Sequence, residues 1–516
     1  MKSTKAVRKC AVTPKYVSPN QLTIVGFETP FEQHLTSTNR WVNLSKLIPW
    51  DKIVGQYDLQ FKSTEGRPPI SGRIVIGAVI IKHMLHLTDR ETIQQIQENV
   101  FMQHFLGYAS FTNEAPFSPS LFVEIRERLS VDVLMGINDI IVHNNFERNS
   151  SIIYSNTGGN KDDDDTKPPV FNESVASTPA DITLSSEIKN EGRLLMDATV
   201  APQNITYPTD LKLLNAARRK SEELIDKLYN KEMHGAEKVR TYRKVARKIF
   251  LNTAKKKSKS AKEIYKANGT QLRYLRRNLS HITDLLSVYK AYSIPTGLKQ
   301  KDIDYLQTLE LVYHQQNKMF TARTHSVEDR IVNIHQPHVR PIVRGKEGKK
   351  VEFGSKLQVS LVKGFAFLDR LSWNNFNEGK CLQNSVDDYR KRFGFYPEEV
   401  LADQIYCNRE NRKWLKKLGI KLRAKPLGRP RKEALSNLVS PGERNPIEGK
   451  FGQAKVRYGL DNISAKLKST SESWIATIIL VLNLVNLTRL NLLYIFQVLR
   501  NYVFSLFDKS NWRLSF

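Results

Sequence analysis

The sequence predicts an α/β protein: a mixed β-sheet with flanking helices, preceded by a helical N-terminal domain and interrupted by a basic helical insertion. Helical patterning fills residues 67–145, residues 211–290 are helical and strongly basic, and short β-type runs alternate with helices beyond residue 327. A chain of 516 residues is too long for one compact core, so two or three domains are expected.

The first region, residues 1–147, reads as several short helices. "RIVIGAVIIKHMLHL" is apolar on most faces, as a buried helix would be. In "TDRETIQQIQENVFMQHFLG", Thr88 with Glu91 makes a capping box and Gly107 a C-terminal stop. Ser118 and Pro119 look like the N-cap and first residue of "SLFVEIRERLS". Tight turns between short helices suit a helix-turn-helix-like DNA-binding module with Arg126 and Arg128 on its last helix. The plain alternative is a helical domain whose arginines face solvent. Residues 148–190 are rich in Ser, Thr, Asp, Gly and Pro and read as a flexible linker. Its run Asp162–Asp165 reads as a solvated tract rather than a metal site.

Residues 191–210 open with a short apolar strand, "RLLMDATV". The basic helical insertion is expected over 211–326. Between Arg240 and Arg277 it carries fourteen Lys or Arg against the single acid Glu263, with Tyr242, Tyr265 and Tyr274 interleaved. Such a surface repels itself without a counter-anion, so a nucleic-acid-facing arm including Lys255, Lys256 and Lys257 is expected. From 327 to 516 the sheet resumes and helices close the chain. "SKLQVSLVKGFAFLDRLSW" reads as a hairpin turning at Lys363-Gly364. Helix "NSVDDYRKRFG", strand "EEVLAD", helix "NRENRKWLKKLG" and strand "IKLRAK" follow.

Lys and Arg outnumber Asp and Glu by 80 to 52, a formal charge of +28, which favours an anionic polymer as partner. Cys10, Cys381 and Cys407 are too scattered for a zinc site or a disulfide framework, which fits a reducing compartment and a cytoplasmic location. The basic N-terminus has no apolar core of a secretory signal. "WIATIILVLNLVNL" is broken by Asn483 and Asn486 and reads as a buried core helix, so no membrane partner is expected. His83 with His86, and His335 with His338, are spaced as metal pairs but lack a third ligand, so packing or surface roles are expected.

The candidate chemistry resides in three acids on the strands and the helix that follows them. Asp197 lies within the first strand, Asp403 ends the strand "EEVLAD", and Glu448 lies in the helix after the last strand. A strand aspartate among apolar neighbours is costly unless it meets a cation. Together the three could hold Mg2+ or Mn2+, and two such ions about 3.5–4 Å apart suit phosphodiester cleavage. In "SPGERNPIEGKFGQAKVRYGL", Asn445 before Pro446 looks like a helix start, with Asn445 and Glu448 as a capping box. Glu448 and Lys455 then share a face, with Gly452 between them leaving room for a polynucleotide backbone and Arg444 at the entrance.

These blocks resemble bacterial insertion-sequence transposases of the DDE type, which have an RNase H-like catalytic fold. "GRPPISGRIVIGAVIIKHMLHLTDRETIQQIQENVFMQHFLGY" is similar to the family's N-terminal domain. "LLMDATVAPQNITYPTDLKLLNAAR", "VLADQIYCNRENRKWLKKLGI" and "ERNPIEGKFGQAKVRYGLDNI" resemble its three catalytic blocks. The resemblance implies that Asp197, Asp403 and Glu448 are catalytic and hold two Mg2+ or Mn2+ ions, with Arg444 and Lys455 on DNA phosphates. It also implies binding of terminal inverted repeats, strand transfer of a 3′-hydroxyl into target DNA, a multimer on paired ends, and a nucleoid-associated protein. Two departures stand out. Pro441 occupies the tyrosine position of the Tyr-Arg-Glu-Lys signature, and Asp403 and Glu448 are only 45 positions apart, too close for the large β-rich insertion of some relatives. The rival readings are a metal-dependent nuclease on the same fold that cuts without joining, and a non-catalytic DNA-binding protein derived from a transposase.

Overall fold

The computed structural model describes residues 35–36, 38–61, 69–156, 190–343, 351–424 and 441–511, with backbone alone for 147–156, 441 and 492–511. Cys10, the run Asp162–Asp165 and residues 157–189 of the expected linker lie outside the described residues, while residues 148–156 of that linker are helical.

Seven helices come first: α1 (Arg40–Leu47), α2 (Trp50–Asp58), α3 (Gly72–Leu85), α4 (Asp89–Glu98), α5 (Val100–Phe105), α6 (Leu121–Arg128) and α7 (Val131–Asn156). Strand β1 (Arg193–Pro202) leads into five helices: α8 (Asp210–Leu228), α9 (Lys231–His234), α10 (Arg243–Ala254), α11 (Ala261–Ala291) and α12 (Gln300–Ala322). Strands β2 (Arg340–Val343), β3 (Val351–Val362) and β4 (Phe365–Ser372) follow, then α13 (Leu382–Phe393), β5 (Glu399–Leu401), α14 (Arg409–Lys417) and β6 (Lys421–Arg423). Helices α15 (Pro441–Tyr458) and α16 (Lys468–Asn511) end the described chain.

The sheet is mixed. β3 pairs antiparallel with β1, β2 and β4, while β1 pairs parallel with β5 and β5 parallel with β6. The β3–β4 hairpin turns at Lys363 and Gly364, with φ of 48° and 86°. Two consecutive left-handed residues match the twist of the flanking strands, and the second is a glycine, which adopts this conformation at no steric cost.

Helix α3 is buried along almost its whole length, as its all-round apolar sequence requires. The capping box forms, with the Glu91 N–H donating to Thr88 Oγ1 at 3.2 Å and the Thr88 N–H to Glu91 Oε2 at 2.8 Å. Two helix starts differ from expectation. α6 begins at Leu121, because Ser118 and Pro119 are taken up by a preceding turn in which the Leu121 N–H donates to the Ser118 carbonyl. α15 begins at Pro441, so Asn445 is not an N-cap and Pro446 lies inside the helix. A proline so near a helix start forfeits one intrahelical bond and leaves the rest of the ladder intact. Between residues 328 and 343 the strand pattern yields only β2, since Ile331 and Ile334 turn instead into the core of the insertion.

Two large apolar cores result among the described residues, beside a small cluster of Val332, Val339 and Trp373. One joins the N-terminal helices to the sheet, with Ile475, Ile478, Ile479 and Leu482 of α16 running through it. The other belongs to the insertion, where Leu214, Leu224 and Ile225 of α8 meet Leu275, Ile282, Leu309 and Val312. Lys468–Asn491 is long and apolar enough to cross a membrane, yet 78% of its most apolar window is buried inside the protein, as a core helix would be. His83 is likewise fully buried, its ring edge-on to Trp474 at 4.8 Å between centroids.

Candidate active site

The strand register brings the first two acids side by side. Leu195 of β1 lies opposite Leu401 of β5 in a parallel pair, and Asp197 and Asp403 each follow two residues later. A strand's side chains alternate with period two, so both carboxylates emerge toward the same face. Asp197 still belongs to the ladder, opposite Val359 of β3, whereas Asp403 has left its strand and stands at the start of a short 3-10 turn. Each carboxylate accepts from the next backbone N–H: Ala198 at 2.8 Å and Gln404 at 2.7 Å.

Arg444 reaches down from the first turns of α15 and joins the pair. Its Nη2 lies 3.3 Å from Asp197 Oδ2 and its Nη1 lies 3.2 Å from Asp403 Oδ1. The helix is held for this by the preceding residue, since Arg423 of β6 donates from Nη2 to Glu443 at 2.8 Å. Burial pushes the Asp197 carboxyl above the usual carboxylate range. The Ala198 N–H and Arg444 oppose the rise, while Glu378 and Asp403 add to it. Glu378 is an acid that the sequence does not single out. It approaches from the loop after β4 and pairs with Lys356 at 2.8 Å. Beneath it the buried Tyr406 hydroxyl donates to Gln358 Oε1 at 2.8 Å, bracing the turn that carries Asp403.

Glu448 lies one helical turn beyond Arg444 and is exposed. It does not complete a cluster, for among the described residues no group of three His, Cys, Asp or Glu is disposed to hold one metal ion. The convergence expected of three acids is therefore a convergence of two, with a guanidinium between them. Two hard oxygen donors already facing one cation are a donor set that fits Mg2+ or Mn2+. Lys455 is half-buried further along α15, and a side chain added at Gly452 would meet nothing within 4 Å, so that face is open as expected. The far end of α15 is fixed against the N-terminal helices. Gly459 has φ of +71°, and a Cβ there would fall 2.4 Å from His86 Nε2.

The proposed DNA-facing cations divide. Arg126 is buried, donating from Nη1 and Nη2 to Asp89 at 2.9 and 3.0 Å; Lys82 shares that carboxylate at 2.9 Å. Its guanidinium is thus committed inside the fold rather than offered to phosphate, a correction to the reading of Arg126 as a recognition-helix residue. Arg128 is more open and pairs with Glu124 at 3.1 Å, one turn away. Lys255, Lys256 and Lys257 are all exposed between α10 and α11, with Lys256 paired to Glu263.

Family comparisons bear on the two ends of this arrangement. A model described as a transposase DDE domain matches residues 400–485, which include Asp403, Arg444, Glu448 and Lys455. A model described as a transposase domain (DUF772) matches residues 29–128. The uncharacterized protein ORF8 in nfe locus of Rhizobium meliloti is 24% identical over 211 residues, covering 41% of this chain and 81% of that protein. No solved structure matches. Asp197 and the whole basic insertion lie outside both matched segments, yet the sheet register delivers Asp197 to the DDE-matched segment. With one transposase domain matched over its N-terminal helices and another over its later acidic residues, the chain is similar to DDE transposases at both ends.

Proposed function

We propose that this chain is a DDE transposase that binds the terminal inverted repeats of its element, cleaves there with divalent metal ions, and joins the freed 3′ ends to target DNA. The observation that carries this reading is the meeting of Asp197, within β1, and Asp403, just past the end of the neighbouring parallel strand β5, on one cation. A strand β1 flanked by antiparallel β3 and parallel β5 supports an RNase H-like reading of the sheet.

Asp197, Asp403 and Glu448 would hold Mg2+ or Mn2+, as two ions. When bound, these supply activation of water and stabilisation of the leaving oxygen of a phosphodiester. Lys455 would engage phosphates beside the cleavage site, and Lys255, Lys256 and Lys257 would follow the DNA path from the insertion. A multimer on paired ends and a cytoplasmic, nucleoid-associated location belong to the same reading.

The test uses the purified full chain and duplexes carrying the element's terminal repeats. Asp403→Asn and Glu448→Gln should each lower metal-dependent cleavage by about 10²–10³-fold or more, while mobility-shift binding to the repeats persists. Substantial cleavage by folded Glu448→Gln protein would remove Glu448 from the catalytic set. Supplying a pre-cut end separates joining from cutting: cleavage with no joined product favours the nuclease reading.

A further inference from the structure

Arg444 does more in this site than stand ready for phosphate. Its two terminal nitrogens each face a different aspartate, at 3.3 Å on Asp197 and 3.2 Å on Asp403. The guanidinium thus sits where a shared cation would be bound. It also relieves a like-charge conflict, since Asp403 and Glu378 both bear on the half-buried Asp197 carboxyl.

Three features make this occupancy displaceable. Charge-assisted N–H···O contacts close to about 2.7–2.9 Å when optimal, and both of these are longer. The third guanidinium nitrogen, Nε, is buried with no hydrogen-bond partner, so the group is incompletely satisfied where it lies. The Asp403 side chain is about half exposed, so one arm of the bridge is open to solvent and to incoming ligand.

We propose that Arg444 is the resident cation of the Asp197–Asp403 pair, that divalent metal competes with it, and that a DNA phosphate draws it away, so that DNA-end binding and metal binding promote each other. The proposal rests on the metal-dependent reading above and adds an order to it: Arg444 is a positioning residue that delays metal loading until DNA supplies a better anion. A guanidinium can exchange two separate carboxylates for one phosphate that takes it bidentately. By linkage, whatever factor DNA adds to metal affinity, metal adds to DNA affinity.

The experiment measures Mn2+ binding by calorimetry and by the loss of the free-ion electron paramagnetic resonance signal. It compares wild type, Arg444→Ala, Arg444→Lys and Asp403→Asn as full chains, with and without an uncleavable terminal-repeat duplex. Without DNA, Arg444→Ala should bind Mn2+ about tenfold more tightly than wild type, and the gain on adding DNA should shrink correspondingly. Arg444→Lys, which keeps the charge but not the fork, should fall between the two and serves if Arg444→Ala does not fold. Arg444→Ala should also unfold at lower temperature without Mn2+ and recover with it. Equal or weaker Mn2+ binding by both Arg444 variants overturns the competition; if Asp403→Asn then loses Mn2+, the transposase metal site still stands. No Mn2+ binding by wild type even on DNA overturns both.

Discussion

The N-terminal helices and the insertion are both rich in helical cations, and they use them in opposite ways. In the first region Arg73, Lys82 and Arg126 turn inward, while Arg90 stays exposed. Lys82 and Arg126 converge on Asp89, and Trp474 of α16 lies against both, 4.8 Å from Lys82 Nζ and 5.7 Å from Arg126 Cζ. In the insertion one cation, Arg218, is buried with Glu222, Gln271 and Asn215, and the lysines around residue 256 face solvent. A basic residue on a short helix therefore carries no address of its own. Its neighbours in space decide whether it braces a core or meets an anion.

The contrast can be broken most directly at Arg126. Arg126→Ala leaves the buried Lys82 and the half-buried Asp89 without their third member and should cost about 3 kcal/mol of stability, read as a lower denaturant midpoint. Its DNA salt dependence should stay unchanged. A loss of DNA affinity at full stability would return Arg126 to the binding surface. Next in size, changing Lys255, Lys256 and Lys257 together to Ala should flatten the salt dependence of DNA binding, by about 0.9 in slope for each phosphate no longer neutralised. The denaturation midpoint should hold, and an unchanged slope would reject the insertion as a DNA arm.

The smallest effect is a pH dependence confined to the first region. Burial raises the Asp89 carboxyl, but its hydrogen bonds to Arg126 and the charge of Lys82 outweigh that and leave it below its ordinary value. A depressed folded pKa contributes stability that is present above the unfolded value, near 4, and is lost as pH falls through the folded one. Hydrogen exchange should therefore loosen α4 and α6 below about pH 4 in wild type, and this acid sensitivity should shrink in Arg126→Ala, where Lys82 alone still faces Asp89.

Much of the sheet is legible in the sequence because its signals are local. The hairpin turn at Lys363-Gly364, the helix stop at Gly394 and the short apolar strand before Asp403 are each fixed by a few neighbouring residues. Asp197 and Asp403 are legible for the same reason, as polar residues ending or interrupting apolar strands. Long-range pairing is not. Arg126 meets an acid 37 positions away, and Glu378 nears Asp197 only after the sheet is assembled. The start of α15 escapes the sequence because Asn445-Pro446 is a strong local signal that the helix overrides from four residues upstream.

Helix α16 carries a consequence in time as well as in space. It packs against α1, α3, α6, α7, β4 and α15, and it is C-terminal to every one of them. A chain emerging from the ribosome thus exposes the all-apolar α3 and the inner face of β4 for as long as it takes to translate everything up to Lys468, including the whole insertion. The insertion draws its core from residues 213–334 and needs nothing from α16, so it can close first. The nascent protein is then a folded basic bundle tethered between two unfinished halves. Because α15 packs against both α16 and β1, placing it over the aspartates is coupled to completion of the core, so the candidate site should assemble late.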